Sequence, residues 1–363
     1  MEYSQAKRRF LSQAMSAPFE KNHYTDLGRA GLDALKLSPS RPASIDAQGG
    51  QVLPLSDARA APLLEKLLAQ PTSASSAKYF ALAKATAAGA IVLIPESNSA
   101  TIRLSYPQTQ DAGSLSAFFT LFSIGDGASV RVLEENRLAA SHVTSCEVFV
   151  GEGASLHYST LLAPSASSLS LSQRRFFAAS NSAVTSLTAA FGSSLCKSVS
   201  EAVLEGAGST SRDHVACFAT GSQHFDLTSN ICHRAPGTKG SAAMRGVLRD
   251  SGRVVFWGNI QIDKGAKRSD AYLSQNALLL NSGARADAMP TLEINENDVR
   301  ATHSSSVTHA DDDSLFYLAT RGISKPEAKK VLASSFLEAV AERAGDPVAT
   351  PLVEAEVLKK WSQ

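Results

Sequence analysis

"IGDGASV" at residues 124–130 returns as "VGEGASL" at residues 150–156. An aliphatic residue ends a strand, two glycines flank a carboxylate, and Ala-Ser leads into the next strand. Glycine at both positions marks a turn. A return after 26 residues is in the range of one coil of a solenoid. Later turn signals ("EGAG", "DSG", "DKGA", "NSGA") keep the rhythm without matching it letter for letter. Around them "AIVLIPE", "ATIRLSY", "ASVRVLEE", "CEVFVGEGASLHYS", "RVVFWGNIQI" and "PTLEI" read as short strands. A sandwich or closed barrel also supplies many short strands. The length of this zone and its small and β-branched inward positions favour a parallel β-helix. Its coils stack about 4.8 Å apart, so large side chains cannot all point inward.

The rest of the chain narrows the class. Of 363 residues, 44% are hydrophobic and 19% charged, a globular composition, and the net charge of +1 argues against a nucleic-acid surface. "MEYSQAKRRFLSQAM" has no apolar core of a secretory signal, and no window has the length of a membrane span. Cys146, Cys196, Cys217 and Cys232 form no CxxC, which argues against a zinc ribbon or a thioredoxin-like motif. Buried or incidental thiols in a reducing cytoplasm are the expectation.

Three regions are predicted: a mixed helical region over 1–90, a β-helix core over 91–311, and a helical region over 312–363. In the first, Ala6, Phe10, Leu11 and Met15 recur at helical spacing. Leu63, Leu64, Leu67 and Leu68 line one face of a second helix, and "LSPSRPAS" is a connector. In the last, Ser324 and Glu327 suggest a capping box with Pro326 in the first turn. Leu332, Phe336 and Val340 then form an apolar face, and Val353, Val357 and Trp361 form another. These helices either cap the solenoid or present an apolar surface to a partner.

The stretch "DVRATHSSSVTH" (298–309) imitates a metal site or a hydrolase triad, with Asp311, Asp312 and Asp313 close behind. Geometry argues otherwise. On a strand, six residues separate His303 from His309 by about 20 Å, and on a helix they differ by about 240°. One zinc ion needs both nitrogens about 2 Å away. No G-x-S-x-G elbow, P-loop or GxGxxG in a strand–helix context is present. Paired carboxylates such as Glu134–Glu135 and Glu293–Glu296 read as solvated surface. His142, His157, His214, His224 and His233 read as surface or satisfied core residues.

From Ile231 to Arg343 the chain resembles the SufB/SufD family of iron–sulfur cluster assembly scaffolds. The resemblance lies in "GVLRD", "FWGNI", "SDAYLSQNALLL", "ARADAMPTLEI", "DVRATH" and "LFYLATRGIS", in that order. The absence of a SufB-like cysteine pattern and the helical start favour the SufD branch. The resemblance implies a right-handed parallel β-helix between terminal helical regions. It implies a non-enzymatic subunit that pairs with a SufB-like subunit and a SufC-like ABC ATPase. His303 would lie at the subunit interface, where a nascent cluster forms. Leu318, Leu332, Phe336 and Val340 would receive the ATPase. Many relatives carry Cys and Gly where this chain has Ala301 and Ser304, so thiolates would come from the partner. No stably bound cofactor is expected, only a transient iron–sulfur cluster shared with the SufB-like subunit. A homodimer in isolation, a homo-oligomeric structural solenoid, and a solenoid enzyme acting on a polysaccharide or acyl donor are the other readings. No nucleic-acid or membrane partner is expected.

Overall fold

In a computed structural model, residues 3–16, 24–27, 35–38, 42–70, 77–108, 113–310 and 312–362 are described. The chain opens with α1 (Tyr3–Ser16), β1 (Lys36–Leu37), β2 (Ser44–Gln48), β3 (Gln51–Pro54), α2 (Ala61–Ala69) and α3 (Ala77–Thr86). Regular coiling then runs through β4 (Ala90–Ile94), β5 (Ser99–Ser105), β6 (Ser114–Ile124), β7 (Ser129–Asn136), β8 (Ser141–Val150), β9 (Ser155–Leu162), β10 (Leu169–Ala178) and β11 (Ala183–Ala190). It continues through β12 (Leu195–Leu204), β13 (Thr210–Ala219), β14 (His224–His233), β15 (Lys239–Leu248), β16 (Arg253–Ile262), β17 (Asp270–Leu279), β18 (Arg285–Ile294) and β19 (Arg300–His309). Three helices close the chain: α4 (Asp312–Thr320), α5 (Lys325–Ala344) and α6 (Ala349–Ser362).

Even-numbered strands from β4 to β18 build one sheet and odd-numbered strands from β5 to β19 the other. Within each run all pairings are parallel, so the fold is a mainly β solenoid of about 7 turns with helices at both ends of the chain. Strand pairing starts as early as Lys36, because β1 lies parallel on β6, and β2 and β3 then lie antiparallel on β5 and β4.

The quoted repeat is a coil-stacking device. A Cβ on Gly125 would lie 2.5 Å from the Glu96 nitrogen, in the coil before, and one on Gly151 would lie 2.7 Å from the Asp126 nitrogen. Gly127 and Gly153 sit at φ +64° and +63°, where a side chain is strained. Asp126 Oδ1 accepts from the Glu152 amide at 2.7 Å, tying one turn to the next. The buried residue just before the strand is Ala128 or Ala154 here and Ser182, Ser209, Thr238 or Ser269 in later coils. Those hydroxyls close their own turns; the Ser182, Ser209 and Ser269 hydroxyls donate to the carbonyl three residues back at 2.7, 2.7 and 2.8 Å. The shape therefore repeats where the letters do not.

The lumen holds larger and more polar groups than the sequence suggests. Phe122, Tyr158 and Phe176 stack edge-on along the axis, with centroids 6.1 and 5.4 Å apart. A polar seam separates two apolar columns. In it, Glu134 accepts from Tyr106 Oη at 2.7 Å, Tyr158 Oη at 3.0 Å and Thr160 Oγ1 at 3.2 Å, with the Arg174 guanidinium 3.7 Å away. Asp213 accepts from Ser186 and Ser229. Glu134 is fully buried, which corrects the reading of Glu134–Glu135 as solvated surface.

The outer face of the even sheet lies under α1 to α3, and that of the odd sheet under α5 and α6. On α1, Ala6, Phe10 and Ala14 turn inward, whereas Leu11 and Met15 are exposed, so the predicted face is rotated. On α5, Ser324 is the N-cap with extended backbone, but its side chain makes no capping bond, so the predicted capping box is not formed. Asp346 fastens the α5–α6 connection by accepting from Ser159 Oγ at 2.5 Å and from the Val348 amide at 3.0 Å.

Two lumen histidines make folding pH-dependent. His142 Nδ1 donates to the Ala140 carbonyl at 3.0 Å, while Nε2 meets Asn136 at 2.7 Å and Ser170 at 2.8 Å. His233 Nδ1 meets Thr238 Oγ1 at 2.8 Å. Burial lowers both rings from 6.5 to about 4. Between those values the unfolded chain binds more protons, so their stabilisation is complete above pH 6.5 and is lost as pH falls toward 4. The urea midpoint should fall between pH 7 and pH 5, and a His142→Asn/His233→Asn double variant should flatten that slope.

Candidate functional site

The last coil is the exposed one. Among the described residues β18 pairs only with β16, and β19 only with β17, so each leaves one edge of backbone donors and acceptors without a described strand neighbour. Nearly every residue of β19 is exposed, and Ile294 and Val307 are exposed apolar residues on this edge. Three polar contacts secure β19 to the coil beneath. Tyr272 Oη meets Ser304 Oγ at 2.9 Å, Ser306 Oγ donates to Asn276 Oδ1 at 2.7 Å, and Thr308 Oγ1 reaches the Ala277 carbonyl at 3.4 Å.

His303 lies in register with Leu273 and Ala301 with Ala271, both partners being residues of the apolar column inside the solenoid. Parallel pairing keeps such residues on one face, so the His303 ring belongs to the lumen side of a coil that no described strand covers. It is exposed, and its side chain makes no hydrogen bond within the described residues. His309 stands in register with Leu279 at the far end of the same strand. Both histidines on one extended strand is the arrangement in which they cannot meet on a single ion. Asp311 lies outside the described residues.

No group of three or more His, Cys, Asp or Glu is gathered for a metal among the described residues. The thiols are not at this edge. Cys146, Cys196 and Cys217 are buried and Cys232 is half-buried. Burial pushes Cys196 up to about 12 and Cys232 up to about 11, and raises Cys146 and Cys217 as well. A thiol so placed is a poor nucleophile and a poor ligand.

The second predicted surface divides. Leu318 and Leu332 are half-buried. Phe336 packs on the solenoid: its carbonyl accepts from Arg245 Nη1 at 2.9 Å and its ring lies under the same guanidinium. Val340 is fully buried against the odd sheet, so it is an internal packing residue and not one a partner can reach. The apolar surface left open is Phe316 (72% exposed), Tyr317 (57%) and Val331 (42%). Helical periodicity finds one apolar stripe on α5, and folding spends that stripe on the chain's own sheet. The surplus apolar residues of "LFYLATRG" were the signal for the outer surface.

The geometry defines a class: a β-solenoid whose final coil leaves an unpaired edge, with His303 exposed on it. The family model described as SUF system FeS cluster assembly, SufBD core domain, matches residues 107–336. The chain therefore belongs to the SufBD family of the SUF system. It is similar to an iron–sulfur cluster assembly SufBD family protein of Staphylococcus aureus, 24% identical over 289 residues, covering 76% of this chain and 61% of that protein. Similar SufBD family proteins of Mycobacterium bovis and Mycobacterium tuberculosis are 34% identical over 125 residues, 34% of this chain and 15% of theirs. The chain thus spans less than two thirds of these relatives. No described helix is long and apolar enough to cross a membrane.

Proposed function

We propose that the chain is a SufD-like scaffold subunit of a cytoplasmic SUF complex, non-enzymatic in itself. The observation that carries this reading is the unpaired final coil with His303 exposed on it. An edge of free backbone groups is completed by strands of a SufB-like subunit. That neighbour supplies the thiolates, and His303 supplies one imidazole to a nascent iron–sulfur cluster, which is cargo and not a resident cofactor. A single borderline ligand is useless alone and becomes useful when a second chain brings sulfur to it. A SufC-like ATPase docks on Phe316, Tyr317 and Val331, with Leu318 and Leu332 at the margin. Its nucleotide cycle moves the subunits relative to one another.

Co-expression with SufB-like and SufC-like subunits tests the assembly. A chain that stays alone in the presence of both, or pairs only with itself, refutes it. In the assembled complex, His303→Ala should lower the yield of cluster by about tenfold or more while the subunits still co-purify. Unchanged cluster yield would reduce His303 to a polar interface residue.

A further inference from the structure

Among the described histidines, His214 is the one whose ring nitrogens are both buried without a partner. It stands on the outer face of the odd sheet, in register with Leu187 and Ala243, where α5 packs over the strands. It is 6% exposed, and neither ring nitrogen has a hydrogen-bond partner. A buried imidazole without partners is costly, so such a group needs an explanation. The charges that reach it are both positive: Arg212, two residues before it on β13, and Arg343 in the last turn of α5. Arg343 also acts repulsively on Arg245 of β15, which is held beside α5 by its bond to the Phe336 carbonyl.

Arg212 and Arg343 are exposed and make no ion pair or hydrogen bond within the described residues. The carboxylates of α5 do not neutralise them. Burial, and after it the neighbouring Glu354 and Glu342 carboxylates, raise the Glu338 carboxyl above its ordinary value. On this outer face Arg212 stands two residues before His214 on β13, Arg245 stands two residues beyond the ring's register partner Ala243 on β15, and Arg343 lies in the last turn of the overlying α5, so guanidiniums from three elements converge on a buried ring that has an unused N–H. Guanidiniums recognise planar and tetrahedral oxyanions through paired N–H donors. An oxyanion seated here would satisfy the ring, cancel the mutual repulsion of the arginines, and join β13 and β15 to α5.

We propose that Arg212, His214, Arg245 and Arg343 form a binding site for a phosphate-type oxyanion, at the seam between the solenoid and its C-terminal helices. The site is separate from the His303 edge and does not depend on the scaffold reading. The ligand is either free inorganic phosphate or the phosphate of a nucleotide.

The test uses the full chain, titrated calorimetrically with inorganic phosphate and, separately, with ADP at constant ionic strength. The His214 ring proton, assigned through His214→Gln, is followed in parallel by NMR. Saturable one-site binding with a shift of that resonance is expected. Arg212→Gln and Arg343→Gln are exposed replacements that should each weaken binding about tenfold and suppress the shift, with the melting temperature in chloride unchanged. Arg343→Lys should recover part of the affinity. Tighter binding of ADP than of phosphate, abolished by the same replacements, assigns the site to a nucleotide; equal or weaker binding assigns it to the free ion. Absence of saturable binding by both probes, or binding that the arginine variants leave intact, overturns the proposal.

Discussion

Arg174→Met should destabilise the fold by about 3–5 kcal/mol, the range for stranding one member of a buried ion pair. Both Arg174 and Glu134 are essentially inaccessible, and Arg174 is among the largest fully buried side chains of the molecule. Three hydroxyls donate to the Glu134 carboxylate, but among the described residues its one ion-pair partner is Arg174, which also donates to Ser172 and Ser198. Removing the guanidinium leaves a carboxylate in a low-dielectric lumen, with coils on either side that cannot open to admit water. The companion change decides the cause. Glu134→Gln in the Arg174→Met background should recover most of the loss, because the amide still accepts from a tyrosine and carries no charge. Urea unfolding of the two single variants and the double variant measures the coupling. A loss that the double variant fails to recover would mean that Arg174 acts by filling space.

Val340→Asp should undo the C-terminal helical layer, at a cost of about 4 kcal/mol or more. Val340 lies with Ala333, Leu337, Ala341 and Ala344 on the face of α5 that covers Leu187, Ala216 and Phe218 of the odd sheet. The polar fasteners around it, Asp346 to Ser159, Arg137 to Glu356 at 2.8 Å and Lys360 to Gln223 at 2.6 Å, tie down α6 and the connection before it. They cannot hydrate a carboxylate introduced at the centre of the apolar face. The expected result is early proteolytic release of the segment after β19, with the strand signal in circular dichroism preserved. Val340→Ala, which only removes volume, should lower stability by about 1–2 kcal/mol without release. Val331→Asp, on the exposed side of the same helix, should do neither. If Val340→Asp left the helices protected, α5 would not be held by this face.

The solenoid was readable because its turns are written in glycine: "IGDGASV" and "VGEGASL" state both the coil length and the close approach of backbone that stacking demands. The later coils lost the letters because a serine or threonine hydroxyl does the work of alanine at Ser182, Ser209, Thr238 and Ser269. His303 was visible only through its family motif, and register with Leu273 then placed it on the open coil. Period two from Val130 and Val132 puts Glu134 in phase with the lumen, but no sequence pattern names Tyr106, Tyr158 and Arg174 as the partners that let a carboxylate sit there, so the pair Glu134–Glu135 reads as surface. The face of α5 was legible as apolar, but periodicity does not say whether a stripe meets the chain's own sheet or a foreign one. His214 carried no signal, because its missing partners are a matter of what lies above it in three dimensions.

β2 and β3, one in each sheet, run against the direction of the coil strands they rest on, and both are short. The parallel array therefore ends there, and the β18–β19 edge is the end at which further parallel strands can be added. Were two such molecules to meet through those ends, each would use up the other's edge, and the product would be finite, with a two-fold or near two-fold relation between its halves.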